Sequence, residues 1–157
     1  EARPFVLEPL VGALGTGRLA EEGVFRFGQR ALPPLFQLAQ ASVWSSGSFR
    51  QGDMSATIVA GALRALGNLV IQLDSKLAPS TRAQVVAVAA KRLSGRQDVL
   101  IAVEACKLAL ATGDRTLRAK VEKLAFDRRE VAALGIADDP SVHLLQRVAS
   151  EALARRR

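Results

Sequence analysis

Cys106 and His143 are the only thiol and the only imidazole in the chain. Together they are the residue types of a thiolate nucleophile and its base, a pairing that needs proximity in space and not in sequence. The pattern around each argues against that use. Cys106 shares a 3.6-residue stripe with Val99, Ala102, Val103, Ala109 and Leu110, where a small thiol packs as a hydrophobe and stays unreactive. His143 stands beside Val142 in the first turn of an expected helix, at a solvated edge. One Cys and one His cannot assemble a Cys/His zinc site, nor can a lone cysteine form an internal disulfide. No catalytic residue, cofactor or metal ligand is therefore expected.

The run Gly12-Ala-Leu-Gly-Thr-Gly17 has the glycines of a phosphate-cradling loop, because backbone N–H groups without side chains can surround an anion. It lacks the Gly-Lys-Ser/Thr end of a P-loop, follows no strand and does not have the G-x-G-x-x-G spacing. It reads as a helix-stopping turn. Carboxylates are assigned to helix starts: Asp98, Asp114, Asp127 and Asp139 each precede an apolar-periodic segment, where a carboxylate accepts backbone N–H bonds. The adjacent pairs Glu21-Glu22 and Asp138-Asp139 diverge on a helix and make poor acid–base partners.

Charge is the strongest surface signal. The net charge is +7, with 17 Arg against 5 Lys. Residues 1–78 carry a net +1 and residues 79–157 a net +6. Arginine suits phosphate because its planar fork bonds two oxygens at once. Arg115, Arg118, Arg128, Arg129, Arg155, Arg156 and Arg157 are the candidate polyanion-binding residues, and RNA is the candidate polyanion. Against this, Glu104, Glu122, Glu130 and Glu151 interleave with the basic residues, as on a solvated helical surface. Aromatic stacking platforms are scarce, at 4% of residues.

The elements that must carry these residues read as helices. Length (157 residues) and 49% hydrophobic content fit one domain with a sizeable core. Ala, Leu and Val dominate its apolar residues, which favours helix over sheet. From Met54 to Asp74 the apolar positions Ile58, Val59, Ala62, Leu63, Leu66, Leu69, Val70 and Leu73 follow one helical face, capped by Asp53 or Ser55. Arg64, Asn68 and Gln72 interrupt it, so no membrane span is expected. Ser80 is expected to cap a helix ended by Gly95, Asp98 one ended by Gly113, and Asp114 a third. Asp127 with Glu130 has capping-box spacing for a short segment stopped by Gly135. Asp139-Pro140 reads as N-cap and N1 of the last helix. The first fifty residues are interrupted by glycines and Pro33-Pro34. Helices are expected near Pro4 to Leu14, Leu19 to Leu32 and Pro33 to Ser42, with a loop at Trp44 to Gly52. The expected organisation is a single all-α domain over 1–157, less regular in 1–52 and repeat-like in 53–157. Antiparallel helix pairs would stack as a short α-solenoid or an irregular helical bundle.

Ser80 and Asp114 lie at a separation typical of helix-hairpin repeats. The segments Ala102-Val-Glu-Ala-Cys-Lys-Leu-Ala-Leu and Val148-Ala-Ser-Glu-Ala-Leu-Ala are Ala-rich helices bordered by Gly-Asp or Asp-Pro turns. Over Met54 to Arg157 this resembles the HEAT and armadillo-like family of α-helical repeats, although the turn pattern of that family is incomplete here. Stacked helix pairs build extended surfaces without needing reactive groups, so the expected function is a non-enzymatic scaffold that binds protein partners, within a larger protein or assembly. The alternative is an RNA-binding helical protein or a ribonucleoprotein subunit, such as one of an organellar ribosome. No small-molecule substrate is indicated. The single cysteine fits a reducing intracellular compartment, cytoplasm or mitochondrion.

Overall fold

The computed structural model of the chain describes residues 23–43 and 54–155. The expected helix at Pro4 to Leu14, the glycine run, the Trp44 to Gly52 loop, Asp53, Arg156 and Arg157 lie outside these residues. The described residues are all-α: α1 (Leu32–Ala39), α2 (Ala56–Leu73), α3 (Pro79–Arg92), α4 (Val99–Thr112), α5 (Arg115–Phe126), α6 (Arg128–Ala133) and α7 (Asp139–Ala154). Residues 23–25 are also helical, and short 3₁₀ turns stand at Gly28–Ala31 and Asp74–Lys76. Among the described residues, β-pairing is limited to an isolated parallel bridge between Val43 and Met54.

Capping chemistry fixes most helix starts. Ser55 accepts from Ile58 N–H at 3.3 Å, Asp98 from Leu100 at 2.8 Å, Asp114 from Leu117 at 2.9 Å and Asp127 from Arg129 at 2.8 Å. Two expected caps are corrected. Helix α3 begins at Pro79 behind Ala78, with no side-chain cap, so Ser80 lies inside the first turn. Proline's fixed φ starts that helix without a capping oxygen. Helix α7 is capped by Asp138, whose carboxylate accepts from Ser141 N–H at 3.0 Å, so Asp139 and Pro140 are its first residues. Nor does Glu130 close a capping box: it pairs with Lys120 of α5 at 2.6 Å. Upstream, the helix expected through Leu32 is broken at Gly28, whose φ of +53° favours glycine.

Two arginines of α3 fix how the helices run. Arg82, in its first turn, donates to the carbonyls of Thr112 at 3.2 Å and Asp74 at 3.0 Å, so α2 and α4 end side by side where α3 begins. Arg92, its last residue, donates to the carbonyls of Ala39 at 2.9 Å and Ala41 at 2.6 Å, so α1 and α3 also end together. Helices α1 and α3 are thus antiparallel to α2 and α4. The hairpin partners α1 with α2, α3 with α4 and α5 with α7 pack closely. Within one layer α4 packs on both α2 and α7, while α1, α3 and α5 touch more lightly in the other.

This position makes α4 the centre of the core. A single apolar stripe was expected on it, yet Ile101, Ala102, Ala105, Cys106, Leu108 and Ala109 are all fully buried. A helix apolar on several sides belongs among other helices. Leu66, Leu124 and Leu145 are fully buried, and in α3 Val85 takes the core position while Val86 is only half-buried. Each fully buried leucine contributes about 1.5–3 kcal/mol through apolar area removed from water. Over 56–76, α2 and its following turn are long and apolar enough to cross a membrane, but 56% of that window is buried inside the fold.

Candidate functional site

The second halves of α2, α4 and α7 enclose an open cavity of about 240 Å³. Leu63 and Gly67 of α2, Leu108 and Ala111 of α4, and Val148 and Ala152 of α7 form its apolar wall. Gly67 faces the Leu108 backbone, which lies 3.8 Å from where a Cβ would stand. Ile71, which also lines the cavity, is 54% exposed, whereas Leu63, Leu66, Leu69 and Val70 of α2 are buried.

Charged groups ring this wall. Arg64, Lys107 and Arg155 carry positive charge, and Glu104 and Glu151 negative charge. Glu104 is only 8% exposed. Its Oε1 accepts from Lys107 Nζ at 3.0 Å, one turn away on the same helix, while its Oε2 is buried and accepts no hydrogen bond. A buried carboxylate oxygen without a donor forfeits the hydration it had in water, and that loss is uncompensated. Glu104, whose interleaving with basic residues points to a solvated surface, is instead placed inside by its position on the central helix. Its signal in the sequence is a carboxylate within an otherwise apolar run, with a lysine at i+3.

The residues weighed for catalysis are not assembled. Cys106 is fully buried, and burial pushes its thiol up to about 12. His143 is exposed on α7. Among the described residues no group of three or more His, Cys, Asp or Glu is placed to hold a metal.

The candidate polyanion residues divide between the two ends of α5. Arg115 and Arg118 lie toward its start, and Arg118 pairs with Glu122 at 3.3 Å. Arg128 and Arg129 lie beyond its other end, and Arg128 is paired with Asp139. Arg155 lines the α2–α4–α7 cavity instead. One exposed aromatic, Phe126, stands at 76% exposure beside the second pair. Acidic neighbours thus hold two of these arginines, and Arg118 and Glu122 share a shallow cavity with Ser150, Leu153 and Ala154 at the end of α7.

No family model, curated protein or solved structure matches the chain.

Proposed function

We propose that this protein is a non-enzymatic helical scaffold whose partner-binding face is the α2–α4–α7 layer. The observation that carries this reading is the open apolar cavity across three helices with exposed Ile71 in its lining. An apolar opening rimmed by charged side chains is the pattern of an interaction site. The order of the hairpins supports a short α-solenoid, in which neighbouring pairs stack and the layer between them offers an extended surface. Buried Cys106, exposed His143 and the scattered carboxylates support a binding role over a catalytic one. The concentration of +6 net charge in residues 79–157 favours RNA as the second reading. The carboxylate partners of Arg118 and Arg128 weigh against it.

Co-purification of the full chain at low and high salt separates the two. The scaffold reading expects a protein partner that survives high salt and is lost from Ile71→Asp at unchanged thermal stability. Salt-labile nucleic acid as the sole companion overturns it.

A further inference from the structure

We propose that the groove between α1 and α3 receives an amphipathic helix of a partner protein, seated antiparallel to both and carrying an acidic first turn. The groove lies in the layer opposite the α2–α4–α7 face, so this does not rest on the scaffold reading of that face.

Helices α1 and α3 run the same way but touch lightly, while α2 and α4 in the layer beneath them pack closely. The gap between α1 and α3 is an open groove of about 780 Å³. Pro33, Phe36 and Gln40 of α1 line one side, and Gln84, Ala87, Val88 and Lys91 of α3 the other. Each set follows one helical face over about two turns, or about 10 Å. Leu32 and Val88, both buried, form the floor with half-buried Phe36. A third helix, about 10 Å across, fills such a space over two turns. Its backbone bonds are satisfied internally, so it asks of the groove only an apolar stripe. An extended strand instead needs donors and acceptors along the walls. Gln29, one of the side-chain amides there, already donates to the Lys76 carbonyl at 3.1 Å.

Charge sets the sign of the guest and its direction. The segments that build the two walls, 23–43 and 75–97, contain no Asp or Glu, whereas Arg26, Arg30, Lys76, Lys91 and Arg96 stand exposed on them. The two carboxylates that border 75–97 are engaged: Asp74 pairs with Arg82 at 3.3 Å and Asp98 caps α4. Lys91 is the charged residue of the groove lining and lies in the last turn of α3. Among the described residues its ammonium has no carboxylate partner. Because α1 and α3 are parallel, both bring the negative ends of their dipoles to this end of the groove. A guest antiparallel to them places its positive N-terminus there. Glutamate or aspartate in its first turn then favours that terminus and meets Lys91. A parallel guest would gather three like dipole ends instead.

The test is fluorescence anisotropy of a labelled, end-blocked twelve-residue peptide titrated with the full chain. The peptide has leucines at i, i+3, i+4 and i+7, two glutamates in its first turn, and alanine or glutamine elsewhere. Saturable binding is expected, about threefold weaker or more when the glutamates are moved to the last turn. Lys91→Glu, at an exposed position, is expected to weaken binding by about fivefold or more at low salt. A peptide with lysines in place of the glutamates is expected to bind that variant more tightly than it binds the wild type. Ala87→Trp, also at an exposed position, fills the groove and is expected to abolish saturable binding at unchanged thermal stability. Ile71→Asp, in the opposite layer, is expected to leave the affinity unchanged, so failure of the scaffold reading leaves this result standing. No saturable binding, equal affinity for both glutamate placements, or undiminished affinity in Lys91→Glu or Ala87→Trp overturns the proposal. Loss of binding in Ile71→Asp, or displacement of the peptide by single-stranded RNA, overturns it as well.

Discussion

The guanidinium of Arg92, the last residue of α3, donates through Nε to the carbonyl of Ala39, the last residue of α1, at 2.9 Å. Its Nη2 reaches Ala41 O at 2.6 Å, and the residue is only 7% exposed. Final-turn carbonyls have no intrahelical donors and carry the negative end of the helix dipole, so a buried cation there is compensated by the backbone. Burial alone pulls its pKa downward, and the charge persists because those carbonyls face it.

Arg92→Leu is accordingly expected to lower stability by about 2–3 kcal/mol, the worth of charge-assisted bonds plus the unpaired carbonyls left behind. Arg92→Lys is expected to recover only part, because one ammonium does not span the fork's two acceptors. Urea denaturation measures both; an unchanged midpoint in Arg92→Leu contradicts this role.

Gly67 sits within α2 with 3.8 Å between a built Cβ and the Leu108 backbone, an ordinary van der Waals distance. Gly67→Ala is expected to stabilise the fold by roughly 0.5–1 kcal/mol through helix propensity and a less flexible unfolded chain. A lowered midpoint means that α2 and α4 lie closer than described.

The Cys106 thiol, pushed up to about 12 by burial, is neutral and shielded in the folded state. Its folded pKa lies above the unfolded one. Its contribution to stability is therefore complete below the ordinary thiol range and is lost as pH rises through that range toward 12. At neutral pH, a thiol-disulfide reagent is expected to label Cys106 only as fast as the protein opens. Rapid stoichiometric labelling without denaturant contradicts this.

Hydrogen bonds from Ser141, side chain and backbone, hold the Asp138 carboxyl below its ordinary range. A depressed folded pKa stabilises above the unfolded value, and that gain is lost as pH falls through the folded value. Asp138→Ala is expected to lower the Tm at neutral pH, with the difference from wild type shrinking once the solution is more acidic than the ordinary carboxylate range. Asp139→Ala is expected to leave the N-cap intact. A larger loss in Asp139→Ala assigns the cap to the wrong aspartate.

Periodicity and caps at Ser55, Asp98, Asp114 and Asp127 made the all-α class and four helix starts legible, because both are local properties. Ser80 misled because Pro79 begins α3 by its fixed φ, without a capping oxygen. Asp138 and Asp139 are adjacent alternatives that only backbone geometry separates. Glu104 was legible as a residue but not as a buried one. Its burial depends on α2 and α7 packing on either side of α4, a long-range arrangement that no local pattern carries. The carbonyl partners of Arg82 and Arg92 are likewise distant in sequence, and no local pattern marks them.

A protein partner on the α2–α4–α7 face, as proposed above, leaves a trace that can be captured covalently. A photo-crosslinking amino acid at position 71 of the full chain, with one at position 143 as an exposed control outside the cavity, tests it most directly in cells. A discrete protein adduct is expected from position 71 and none of the same size from position 143. Nucleic-acid adducts at both positions, or no adduct from position 71, contradict it.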